Sequence, residues 1–74
     1  METEEMIKNW LIRMYDREIE ETFGAVSNER VWRIGSQTQE EYGIHTANII
    51  RLLKYVETLK KLKNDILKEE ENNA

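Results

Sequence analysis

His45 is the only histidine in this 74-residue chain, and Asn48 follows it by three residues in the run EEYGIHTANIIRLL. On a helix an imidazole and a carboxamide three apart share a face. The pair offers donors and acceptors to a small polar ligand, and the imidazole could act as a general base. Glu41 lies one turn earlier and adds a carboxylate to the same arc. A second candidate is the run NERVWR, in which Arg30 and Arg33 flank Trp32. Guanidinium groups beside an aromatic ring suit a phosphate or a nucleotide. They do so more strongly if Ser27 opens a helix there and leaves its first N–H groups free.

Neither candidate describes a catalyst. The chain has no Cys, no Gly-rich phosphate loop and no nucleophile elbow. A Glu41–His45 pair lacks the second His, and the Glu-x-x-His spacing, of carboxylate-bridged metal bundles. We therefore expect no enzyme, no metal and no cofactor. Each candidate also has a plainer structural account. His45 and Asn48 could satisfy each other, a backbone group or a symmetry mate, and a buried Asn at a seam position fixes register at some cost in stability. Arg30 and Arg33 could simply be solvated. Ser27 and Ser36 stand where helix N-caps belong, and Trp10 and Trp32 fall within apolar stretches that point to a core.

The elements that must position these groups are helical. Proline is absent, and Gly occurs only at positions 24, 35 and 43, which suits long helices with few breaks. Met6, Ile7, Trp10, Leu11, Met14, Tyr15, Ile19 and Phe23 fall at helical spacing. They predict a medium helix from about Thr3 to Phe23, closed by Gly24 as its C′ residue. The row from Ile7 to Phe23 drifts about 40° per step, so its two ends face different ways and ask for a second partner. Residues 25–35 predict a short second helix capped by Ser27, with Val31, Trp32 and Ile34 plugging one end of the core. Ser36 with Gln39, or Thr38 with Glu41, has the form of a capping box. A long third helix follows from about Gln39 to Glu69. Positions 45, 49, 52, 56, 59, 63 and 66 alternate spacings of four and three, the heptad pattern of a packing seam.

These predictions give an all-α fold with a medium helix, a short helix and a long C-terminal helix. They assign one helical domain, residues 1–69, and a frayed tail, residues 70–74. At about 1.5 Å per residue, the long helix outruns the first by about 15 Å. An apolar face from Leu59 to Leu67 would then stand in water, and such faces mark partners. A homo-oligomeric bundle follows, with Ile49, Leu52, Val56, Leu59, Leu62 and Ile66 as its interface. A chain this small needs help to stabilise its core, and with no Cys for disulfides oligomerisation is the remaining means.

Charge narrows the partners. The net charge is −4, with 15 acidic and 11 basic residues, a balance that argues against generic nucleic-acid or anionic-membrane binding. Residues 51–68 are locally basic, with Arg51, Lys54, Lys60, Lys61, Lys63 and Lys68 against Glu57 and Asp65. The plain reading is that the acidic first helix packs antiparallel beside them. A DNA-binding regulator would lean on Lys54, Lys60, Lys61 and Lys63, but no aromatic residue follows Tyr55. The run METEEMIKNW carries no secretory pattern, and no apolar run approaches the roughly 20 residues of a membrane span. The expected location is cytoplasmic.

The runs SNER and TANIIR together resemble the small helical phage proteins that sequester cyclic-nucleotide immune signals. The residues carrying the resemblance are Ser27, Arg30, Ala47, Asn48, Ile49 and Arg51, about a third of the chain by span. The family's run of alanines is largely missing, and Gly35 and Gly43 interrupt the region. The resemblance implies an oligomer with ligand pockets between subunits. The leading expectation is a non-enzymatic interaction protein, a phage or mobile-element accessory factor that binds and inhibits a host protein. The alternative is an oligomeric sponge for a nucleotide-type immune signal, held by Arg30, Trp32, Arg33, His45, Asn48 and Arg51.

Overall fold

The computed structural model describes residues 2–72, with side chains over residues 3–68. It is an all-helical hairpin of two helices, α1 (Glu2–Ile34) and α2 (Gln39–Asn72), joined by a short turn. Contacts of Asp16 with Lys63 and of Glu29 with His45 fix the helices as antiparallel. The Cα atoms span 56 × 17 × 11 Å with a radius of gyration of 17.0 Å. A compact chain of this length would have a radius near ~11 Å, so the hairpin is a slender rod one helix thick.

The expected division into three helices is corrected to two. Gly24 does not end the first helix: it is helical, has no positive φ, and a Cβ at its position would meet nothing within 4 Å. The reason lies in the face of α1 that meets α2. Ile12, Tyr15, Ile19, Thr22, Val26, Glu29 and Arg33 are buried or half-buried at alternating spacings of three and four. That row crosses Gly24 without a change of phase. Continuous packing along it outweighs a helical glycine, which costs about 1 kcal/mol. Ser27 is consequently an exposed mid-helix residue and not an N-cap. Val31, Trp32 and Ile34 fall off the seam and are exposed, so they plug no core.

The expected seam of α2 is observed. Ile49, Val56 and Leu59 are buried, and His45, Leu52, Lys63 and Ile66 are half-buried. With Val26 of α1 they form the core, beside the buried Thr22, whose hydroxyl donates to the Glu18 carbonyl oxygen at 2.7 Å. Burying each of these aliphatic side chains is worth about 1.5–3 kcal/mol. The drifting row also behaves as its geometry requires. Ile7 is exposed, Leu11, Tyr15 and Ile19 are half-buried, and Phe23 is exposed again, as the row crosses the seam from one flank to the other.

Because α1 has 33 residues against 34 in α2, the two helices match in length. The face from Leu59 to Leu67 is therefore not orphaned by a short partner: Leu59, Lys63 and Ile66 pack toward α1. Gly35 closes α1, its N–H donating to the Val31 carbonyl at 3.1 Å. Thr38 caps α2, accepting the Glu41 N–H at 3.1 Å, while the Glu41 carboxylate takes the Gln37 N–H at 3.1 Å. Ser36 is no cap for α2; its hydroxyl donates to the Trp32 carbonyl oxygen. α2 continues through Asn72, and the rest of the tail whose fraying was expected lies outside the described residues.

Candidate functional site

At the loop end the seam turns polar. Glu29 of α1 occupies a seam position one turn beyond Val26, and the two heptad rows bring it to His45 and Asn48 of α2. Its Oε2 lies 2.7 Å from His45 Nδ1 and 3.4 Å from Asn48 Nδ2. A carboxylate only accepts hydrogen bonds, so the imidazole proton of this contact resides on Nδ1. The Trp32 ring stands tilted 48° to the imidazole with centroids 6.1 Å apart, and it remains 55% exposed. The side chains of Glu29 and His45 are 14% and 25% exposed. Asn48 and His45 thus satisfy a carboxylate from the neighbouring helix, not each other.

The other residues expected to hold a ligand are not gathered here. Arg33 stacks over Tyr42 at 5.4 Å. Arg30 and Arg51 are both exposed, and helical phase sends them to opposite flanks. Arg30 is two turns from Phe23, which meets Lys60. Arg51 is one turn from Tyr55, which meets Glu18. The continuity of α1 also removes the helix N-terminus expected at Ser27, because the N–H groups of residues 27–30 are spent inside the helix. Glu41 caps α2 and does not meet His45. Among the described residues no group of three or more His, Asp or Glu could hold a metal ion, and no helix is long and apolar enough to cross a membrane.

Of the residues expected between copies, Ile49, Leu52, Val56, Leu59 and Ile66 face α1 of the same chain, while Leu62 is exposed. Trp10 and Trp32, expected in the core, are 57% and 55% exposed. Around Trp10 the outer face of α1 forms a shallow concavity of about 400 Å³ lined by Thr3, Met6, Ile7, Asn9, Trp10 and Arg13. The spacing that placed Trp10 in a core was helical, but it belongs to the face of α1 turned away from the seam. The signal that separates the rows is Ile12, which continues the seam through Tyr15, Ile19 and Val26 and turns Met6, Trp10 and Arg13 outward. Glu29 was missed for the same reason: it is legible only as the next member of that row.

The two flanks of the hairpin differ. On one, the aromatic rings of Phe23 and Tyr42 each carry a cation, Lys60 and Arg33, and Asp16 pairs with Lys63. On the other, Ile7, Met14, Ile44 and Leu62 are bare, while helical phase also leaves Ile34 and Leu67 exposed on the first. Tyr55 lies on that flank and donates to Glu18 Oε1 at 3.3 Å. Desolvation, and then the Glu18 carboxylate, raise its phenol above the ordinary value of 10.0.

No family model, curated protein or solved structure matches the chain.

Proposed function

We propose that this hairpin is a non-enzymatic interaction protein that acts by occupying a partner protein through the outer face of α1. The observation that carries this reading is Trp10, exposed beside Met6 in a concavity with Asn9 and Arg13 at its edge. Trp, Met and Arg are the side chains enriched at protein interfaces, and buried aromatic anchors supply most of the binding energy there. The surface fits a protein segment that offers a bulky apolar group to Trp10 and a carboxylate to Arg13. A phage or mobile-element accessory factor that inhibits a host protein would work in this way.

Sequestration of a nucleotide-type signal has less support. His45 and Asn48, the donors it would use, are already committed to Glu29, whose charge repels a phosphate at that position. A displayed peptide library panned against the full chain tests the leading reading. Enriched peptides should pair a large apolar residue with Asp or Glu, and Trp10→Ala should weaken them by roughly tenfold or more. Equal binding to Trp10→Ala overturns it.

A further inference from the structure

We propose that two copies of the hairpin pack side by side through the bare flank into a four-helix bundle, with both loops at the same end. This goes beyond the partner reading and uses a neighbouring row of α1, which shares Ile7 with the concavity around Trp10. Ile7, Leu11, Met14, Glu18, Glu21, Ala25 and Trp32 continue a second heptad row beside the seam. On α2 the matching row is Ile44, Asn48, Arg51, Tyr55, Thr58 and Leu62, of which Asn48 is engaged by Glu29 of its own chain. The Glu18–Tyr55 contact shows that these rows lie on the same side of the hairpin. The apolar members of these rows cluster at the two ends, Ile7, Leu11, Met14 and Leu62 at one and Trp32 and Ile44 at the other, with Glu18, Glu21 and Arg51 between them; apolar groups repeating at such positions are what a bundle seam buries.

Size and need agree. Among the described residues only Val26, Ile49, Val56 and Leu59 form a buried apolar core, whereas Ile7, Met14, Trp32, Ile44, Tyr55 and Leu62 of the two rows are exposed. The broad face measures 56 by 17 Å, roughly 950 Å² in projection, which exceeds the ~800 Å² per partner of a standard stable interface. Four helices packed about a common core also bury what two cannot.

Charge selects the arrangement. The contacts of Glu29 with His45 and of Glu18 with Tyr55 set the levels, so that Met14 lies abreast of Leu62, Glu21 of Arg51 and Lys54, and Trp32 of Ile44. With a two-fold axis parallel to the helices, α1 packs on α2 of the second copy. Ile7, Leu11 and Met14 then meet Leu62, Glu18 and Glu21 meet Tyr55 and Arg51, and Trp32 meets Ile44. With the second copy turned end for end, α1 packs on its own mate. Glu18 and Glu21 then face the same two carboxylates, and Met14 faces Glu21. Like charges at that distance destabilise, so the parallel-loop dimer is the one that forms.

Sedimentation of the full chain, with helicity followed by circular dichroism, tests the assembly. Wild type should sediment as a dimer. Met14→Lys and Leu62→Lys should each raise the dissociation constant by roughly tenfold or more while the helical signal persists, because neither residue belongs to the seam. A monomeric wild type overturns the proposal, as does a dimer indifferent to both changes. If the Lys variants lose helicity, cysteine pairing decides instead, since the chain has no native Cys. Mixing Met14→Cys chains with Leu62→Cys chains should yield the mixed disulfide in excess over either homodimer. Absence of the mixed product overturns the parallel-loop arrangement. Trp10→Ala should leave the dimer intact, so a failed partner screen and a failed dimer are read separately.

Discussion

The loop end of the hairpin and its open end differ in what lies between the helices. Near the loop, polar groups lie inside: Glu29, His45 and Asn48 occupy the seam, and Trp32 covers the imidazole. Exposed apolar groups occur at both ends: Met6, Ile7, Trp10, Met14 and Leu62 toward the open end, and Val31, Ile34 and Ile44 beside the loop. An inner carboxylate–imidazole–carboxamide cluster contributes less stability than aliphatic packing would, but it has a single satisfying alignment. A slip of the helices by one turn would leave half-buried donors without their acceptor, at less than the about 1–3 kcal/mol that a fully buried unsatisfied group costs. The loop end thus adds a register-fixing polar cluster to the seam, while exposed apolar area is present at both ends.

Between the two ends lies the apolar stretch that holds the hairpin together, and its disruption carries the largest expected effect. Leu59→Ala removes a buried side chain from a core of four aliphatic residues and should cost about 2–5 kcal/mol, read by denaturant unfolding. A loss below 1 kcal/mol would mean that the central seam is not the main source of stability. The register function of the loop end comes next. Glu29→Ala strands His45 Nδ1 and Asn48 Nδ2 and should cost about 1–2 kcal/mol. A double-mutant cycle with His45→Ala should show coupling between the two. Additive losses would reduce the cluster to two independent surface groups.

A smaller effect, of opposite sign, tests the continuity of α1. Gly24 is helical, exposed and open around its absent Cβ. Gly24→Ala should therefore stabilise the hairpin by about 0.5–1 kcal/mol, seen as a higher unfolding midpoint. Destabilisation would indicate that the helix breaks there. The smallest effect separates the flanks. Removing the Glu18 charge as Glu18→Gln should lower the Tyr55 pKa toward its ordinary value, because both the charge and the hydrogen bond raise it. Titration of the phenolate absorbance reads this, and an unchanged midpoint would place Glu18 and Tyr55 apart in solution.

Much of α2 was legible in the sequence. Its heptad positions from His45 to Ile66 are the ones that face α1, and Thr38 caps α2 as its residue type requires, with the Glu41 carboxylate reaching back one residue further to the Gln37 N–H. α1 was harder because it carries two apolar rows. The more conspicuous row, with Met6, Trp10 and Met14, is the exposed one. The true seam is diluted by Thr22, Glu29 and Arg33, whose polarity hides a continuous period. Once that period was lost from view, Gly24 and Ser27 read as punctuation, and one long helix was divided in two. Those are local signals worth about 1 kcal/mol each, and packing along the whole hairpin overrides them.

By itself the sequence determined that the chain is helical, where α2 begins and which of its faces is buried. Those properties follow from local propensity, capping and a clean heptad period, all short-range in the chain. Only the tertiary structure decided that α1 is a single helix, that Glu29 meets His45 and Asn48 across the hairpin, and that both tryptophans lie outside the core. Each of these depends on the phase of one helix relative to the other. That phase is set by the sum of many weak contacts along two helices, and no single residue encodes it.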